Sequence, residues 1–336
     1  MTGRCARCNF GLQFEFPPMA DAAHTLPHPT AAKCSSPVLA LTLAALFWSG
    51  NFIAGRAMRG QIDPLTLNFL RWALALVLMS PFVWRDIVAS RRVLRRKWQL
   101  ILALGATGIA AFHTLVYFAL QRTSVTNALL ILALAPAVTL AGSAALRTEA
   151  LSWLQLFGTL LSLLGAAVLI THGQFPTSME AFNRGDLLML AAMALWATYS
   201  LLLRRRPADL SQAVALSASI AVALMLLAPA VVLFAPTAFT TLPSRSALLC
   251  ITYVALFASA LGFLLWSHGL SQIGPARASQ FVQLMPLFGA ALSYFILGET
   301  LTLAQFGGAI LVMSGIVIVE HRFRRAPPST DDGVTA

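Results

Sequence analysis

The chain has 336 residues, of which 58% are hydrophobic and only 10% charged, against about 25% charged in an ordinary soluble domain. So little polar surface cannot cover a water-facing exterior. This excludes disorder of the whole chain, a nucleic-acid arm, a disulfide scaffold and most soluble enzymes, and makes a bilayer the solvent. The net charge of +11 then belongs either to a nucleic-acid surface or to the loops of a membrane protein, and the positions of the charges decide between them.

Residues 1–36 carry Pro17, Pro18, Pro27 and Pro29 and three of the four cysteines, Cys5, Cys8 and Cys34. They read as a disordered cytoplasmic segment. Cys5 and Cys8 would need Cys34, or His24 and His28, to close a zinc site, so no metal is expected. Met19 is an alternative start, and no secretory signal is legible before the first apolar run near residue 37.

Ten apolar stretches of membrane-spanning length follow, at 37–56, 64–84, 99–120, 125–146, 152–172, 187–203, 211–235, 247–270, 277–297 and 302–320. The second is the least apolar, because Arg71 lies one to two turns inside it. The breaks between spans, such as Arg59–Asp63, Gln121–Ser124, Arg147–Glu149 and Gly298–Thr300, are too short to hold a domain. The expected fold is therefore an all-α membrane protein of ten transmembrane helices, ending in a cytoplasmic tail at 321–336.

Orientation follows from Lys and Arg. With the N-terminus inside, the cytoplasmic segments hold seventeen of the 23 and the outer segments five, with Arg71 left within a span. Both termini are expected in the cytoplasm. The basic clusters Arg91–Lys97 and Arg204–Arg206 lie in separate loops rather than on one patch, which removes nucleic acid as a partner.

The chain also repeats itself. Pro136 and Pro286 stand 150 residues apart, as do Glu149 and Glu299, Gln155 and Gln305, Gly158 and Gly308, and Gly165 and Gly315. Trp48 and Trp196 match at an offset of 148, each followed eight residues later by an arginine, Arg56 and Arg204. The copies run over 37–172 and 187–320. Each holds five spans, an odd number, so the second enters the membrane from the opposite side. A 5+5 inverted-topology repeat is the arrangement of secondary transporters.

Particular segments carry a resemblance. They are FWSGNFIAGRA at 47–57, DPLTLNFLRW at 63–72 and QLMPLFGAALSYFILGETLTLAQFGGAILVMSGIVI at 283–318, with a degenerate first copy, LALAPAVTLAGSAALRTEALSWLQLFGTLLSLLGAAVLI, at 132–170. Over about residues 38–320 the chain resembles the EamA-like transporters of the drug/metabolite transporter superfamily. The resemblance implies an inner-membrane carrier, usually an exporter of amino acids or related metabolites, with a central cavity lined by the first four helices of each repeat. The turn Arg147-Thr148-Glu149 departs from Leu297-Gly298-Glu299 in the second copy.

Polar groups within spans are the candidates for function, because they are costly there. Arg71, with Asn68 on the same face, either snorkels to the interface and supports the 56–63 loop or recognises an anionic group such as a carboxylate. Trp48, Asn51 and Phe52 share a face of the first span, and Trp196, Tyr199 and Ser200 the equivalent face of the sixth. Such aromatics suit a cavity for a solute with apolar and polar parts, or ordinary packing. His113 and Tyr117 share a face of the third span, where an imidazole is either a proton site or a packing residue. Gln280 and Gln283 have Leu130 and Ala133 as their repeat mates, so their polarity belongs to the second copy alone. Pro136 and Pro286 are hinge candidates. Glu149 and Glu299 read as helix caps, and Gly158, Gly165, Gly308 and Gly315 as close-packing sites. No catalytic motif is present, so an enzyme is not expected, nor a cofactor. The function expected is a secondary carrier of a small molecule. The alternatives are a membrane receptor or scaffold and a channel-like facilitator.

Overall fold

In a computed structural model, residues 36–58, 60–123, 125–146, 152–174, 183–235, 244–297 and 302–325 are described. The expectations placed on residues 1–35, on Glu149 and Glu299 and on the tail beyond 325 lie outside them. Among the described residues there is no strand. Eight helices among these residues are long and apolar enough to cross a membrane, joined by a shorter apolar run at Pro37–Asn51.

Helix α1 (Pro37–Ala57) leads into α2 (Pro64–Ala89), whose start is set by Asp63. The Asp63 carboxylate accepts from the backbone N–H groups of Leu65 and Thr66, and Pro64 occupies a first-turn position that needs no N–H. The short basic α3 (Arg91–Arg96) follows. The next span is composite: α4 (Trp98–Leu104), a π-helical segment at Gly105–Ala111, and α5 (Phe112–Leu120). The span after it is broken into α6 (Val125–Leu132) and α7 (Ala135–Ala145). Pro136 sits in the first turn of α7, where its missing N–H ends the preceding ladder without harming the new one. Helices α8 (Trp153–Thr171) and α9 (Arg184–Leu203) each open on a capping box, Ser152 with Gln155 and Asn183 with Asp186.

Helix α10 (Gln212–Phe234) is capped by Ser211. The span that follows copies the third: α11 (Arg245–Tyr253), a π-helical segment at Val254–Leu261, and α12 (Gly262–Ile273). The ninth stretch is again interrupted, by α13 (Pro275–Ser279), a 3₁₀ turn at Gln280–Gln283 and α14 (Leu284–Leu297), with Pro286 at the start of α14. Helix α15 (Leu303–Arg325) is the last.

The packing is reciprocal between the halves. Helix α1 lies on α12 and α14 of the second half, and α9 lies on α5 and α7 of the first. Helix α2 packs on the second π segment and α10 on the first, while α2 and α10 pack on each other. Helices α8 and α15 form the most extensive pair. A Cβ added to Gly165 would sit 2.7 Å from the carbonyl oxygen of Gly308, and one added to Gly315 would sit 2.5 Å from that of Gly158. Residues 158 and 165 thus face 315 and 308, so these equivalent helices run antiparallel with their backbones in contact, which only glycine permits.

The exterior is apolar. Phe82, Trp153, Phe234, Phe295 and Leu303 are exposed, whereas Asn68, Arg71, Ser200, Ser217, Ser259, Gln280 and Gln283 are buried. This inversion of the soluble pattern is what a hydrocarbon solvent selects, since there a polar side chain finds partners only inside the bundle. At one end of the bundle, Arg206 donates to the carbonyls of Pro207 and Leu210, and burial holds its guanidinium pKa below the usual value. Arg96 meets Asp209 at 3.7 Å in an exposed ion pair.

Candidate functional site

The two π segments shape the centre of the bundle. A π turn bonds i to i+5, so it leaves backbone carbonyls without their helical donors. Side chains from other helices and from within the segment take some of these up. Asn68 Nδ2 donates to the carbonyls of Ile109 (3.4 Å) and Ala110 (3.3 Å) and to Thr114 Oγ1 (3.0 Å). In the second half Trp48 Nε1 donates to the Ala258 carbonyl at 2.9 Å and Ser259 Oγ to that of Val254 at 2.9 Å.

Beside Phe112 and Phe263, which follow the two π segments, lies a partly open cavity, with about 530 Å³ of non-atom space including its mouth. Trp48 and Asn51 of α1, Phe112, His113 and Tyr117 of α5, and Trp196 of α9 line it, with Phe263, Val282 and Met285 closing the far side. The aromatics interlock. Trp48 and Trp196 meet edge to face at 5.2 Å between centroids, Phe263 lies 5.7 Å from Trp48 and 5.8 Å from His113, and Trp266 lies within 5.4 Å of both tryptophans. Several polar atoms of the lining have no hydrogen-bond partner among the described residues: Asn51 Oδ1, His113 Nδ1 and Trp196 Nε1. The wall is thus mostly apolar and aromatic, with a few polar atoms that have no partner among the described residues.

Arg71 lies one hydrogen bond behind the wall. It is 0% exposed, which excludes the snorkelling alternative. Its Nη1 donates to Tyr117 Oη at 2.8 Å and its Nε to Ser259 Oγ at 2.8 Å, while Nη2 has no partner among the described residues. The guanidinium also lies 5.2 Å from the centroid of the Trp72 ring.

The remaining sequence candidates lie outside the lining. Tyr199 stacks beside Trp196 at 5.6 Å and fills the space over Gly108, where a Cβ would come 2.2 Å from its ring. Gln280 is turned to α8: its Nε2 donates to Thr159 Oγ1 at 2.8 Å, and Ser162 Oγ reaches its Oε1 at 3.5 Å. Gln283 Nε2 donates to the Ala133 carbonyl at 3.3 Å. Pro136 and Pro286 stand at the helix interruptions. The side chain of Phe52 lies outside the described residues. Sequence reasoning missed Ser259 and Phe263. The repeat offset would have found Phe263, the mate of His113 at 150 residues, whereas Ser259 in a run of small residues gave no signal.

The EamA-like transporter family model matches residues 35–171 and 183–320. The chain belongs to the EamA-like transporter family. It is accordingly a multi-pass membrane transporter built on two repeats. It is 26% identical over 280 residues to a Bacillus subtilis protein named "Uncharacterized transporter YyaM", covering 81% of this chain and 90% of that one. It is 27% identical over 307 residues to the "Probable terminal-alkyne amino-acid exporter" of Streptantibioticus cattleyicolor, covering 89% and 98%. It is 29% identical over 291 residues to the "Probable amino-acid metabolite efflux pump" of Salmonella typhimurium, covering 84% and 94%. A solved crystal structure superposes with a TM-score of 0.73 at 23% identity, covering 87% of this chain and 99% of that one, and shares its fold. The family and the names of these relatives indicate transport rather than enzymatic chemistry.

Proposed function

We propose that this transporter is a secondary carrier of the inner membrane that exports amino acids or related small metabolites by alternating access. Ten transmembrane helices form a 5+5 inverted-topology repeat with both termini in the cytoplasm, and the two halves rock about the central cavity. The observation that carries this reading is the meeting of repeat mates around that cavity. Trp48 touches Trp196 and His113 touches Phe263. Residues that contact their own mates lie on a two-fold axis, and an axis in the membrane plane makes inward-open and outward-open states near mirror images. The antiparallel crossing of α8 and α15 supports the same relation. The relatives named as an amino-acid exporter and a metabolite efflux pump support the substrate class and the direction.

Trp48, Asn51, His113, Tyr117 and Trp196 form the substrate wall, with Arg71 acting through Tyr117. Tyr199, Gln280 and Gln283 support it from behind. Pro136 and Pro286 serve as hinges at the two helix interruptions. In proteoliposomes preloaded with an amino-acid mixture, labelled solute is expected to show saturable counterflow. Linear, non-saturating flux would favour a channel-like facilitator instead.

A further inference from the structure

Among the described residues no acid pairs with Arg71. Of the acids among the described residues, Asp63 and Asp186 cap helix starts, Glu320 pairs with Arg277 and Asp209 with Arg96. Asp86 lies near the end of α2 and within hydrogen-bond reach of Ser90 only through its backbone. None of these acids lines the cavity. A guanidinium buried in a membrane bundle without a counter-charge favours whatever anion can approach it.

The contacts show by which route. Arg71 Nη1 donates to Tyr117 Oη, and Nε to Ser259 Oγ. The Tyr117 oxygen therefore serves as acceptor toward the arginine and keeps its own proton to donate, and Tyr117 lines the cavity. A phenol that accepts from a cation is a stronger donor toward an anion. The rest of the lining supplies Trp48, Trp196, Phe112 and Phe263 for an apolar body, and no carboxylate for an ammonium.

Resting on the carrier reading above, we propose that the cavity binds organic monoanions: a carboxylate on an aromatic or aliphatic body, held by the Tyr117 hydroxyl with Arg71 behind it. Amines are excluded, and zwitterions, amino acids among them, bind less well than the simple anion because their ammonium meets no counter-charge among the lining residues. Within the carrier reading the site therefore favours the related carboxylate metabolites over the amino acids themselves.

The test is binding to the full chain in detergent, read by the fluorescence of the tryptophans around the cavity. The probes are phenylacetate, phenylacetamide, phenylalanine and phenethylamine, with sodium chloride as the inorganic anion. Phenylacetate is expected to bind saturably, about tenfold or more tighter than phenylacetamide, and phenethylamine not at all. Tyr117→Phe is expected to weaken phenylacetate several-fold and Arg71→Gln to abolish the preference for it over the amide, with Arg71→Lys in between. Equal binding of phenylacetate and phenylacetamide by the unmodified protein overturns the proposal, and this arm needs no variant to fold. So does chloride that displaces phenylacetate at equal concentration, which would make the site an inorganic-anion site. Because binding is read without flux, phenylacetate that binds saturably but shows no counterflow would defeat the carrier reading alone, and counterflow with equal binding of phenylacetate and phenylacetamide this inference alone.

Discussion

The side-chain amide of Gln283 donates a 3.3 Å hydrogen bond to the carbonyl of Ala133, the residue that stands 150 positions earlier in the same place of the first copy. Ala133 lies in the break between α6 and α7, and Gln283 in the 3₁₀ turn before α14. Each is at its copy's interruption, so the two helix breaks are joined to each other. A polar side chain in only one copy suffices, because the bond it makes crosses to the other.

The two central tryptophans are mates but are held differently. Trp48 Nε1 donates to the Ala258 carbonyl at 2.9 Å, whereas Trp196 Nε1 has no partner among the described residues. Trp48→Phe is expected to cost about 1 kcal/mol more stability than Trp196→Phe, the net value of one hydrogen bond. Thermal unfolding of the two variants in the same detergent measures the difference, and equal melting shifts would contradict it.

At the α8–α15 crossing, Gly165→Leu is expected to destabilise by about 1–3 kcal/mol or more, since even a Cβ would lie 2.6 Å from the Val312 nitrogen. Gly307→Ala, where a Cβ meets nothing within 4 Å, is the neutral control. Unfolding temperatures compare them, and a tolerated leucine at 165 would mean that the two backbones are not in contact.

Gln280 bonds to Thr159 and Ser162 of α8 rather than lining the cavity. Gln280→Leu is therefore expected to lower stability by about 0.6–2 kcal/mol, the range for interhelical bonds in membranes, while leaving solute affinity within about twofold. A large loss of affinity at unchanged stability would place Gln280 in the substrate path instead.

For topology, single cysteines introduced at 91–97 and 204–206 are expected to resist a membrane-impermeant maleimide in intact cells and to react after lysis, with 176–184 showing the reverse. Reaction of 91–97 in intact cells would overturn the orientation drawn from the charge count.

No acid among the described residues lines the cavity around His113, and a lone imidazole without a partner acid is a poor proton relay. Flux in liposomes is expected to be unchanged by a pH gradient, in the wild type and in His113→Gln alike. Wild-type flux that follows the gradient and is lost in His113→Gln, with counterflow surviving, would assign proton coupling to His113.

Composition, span length and the 150-residue offset were enough to read a two-repeat helical membrane protein, and the resemblance of the segments at 47–57, 63–72 and 283–318 pointed to this family. Hydrophobicity and internal homology are written locally along the chain, and the bilayer converts them directly into helices. The pairing of His113 with Tyr117 was legible too, because both lie within the regular helix α5. What faces what at the centre was decided only in three dimensions. A π segment adds about one residue to the turn and so rotates everything beyond it by about 100° relative to a straight helix. Periodicity read straight through 98–120 or 247–270 therefore could not relate the faces on either side of Gly105–Ala111 or Val254–Leu261. Arg71 is the clearest case. From sequence, its long side chain could equally reach the interface or the interior. It turns inward because Tyr117, 46 residues away, and Ser259, 188 residues away, meet it there, and no local pattern records partners at such separations.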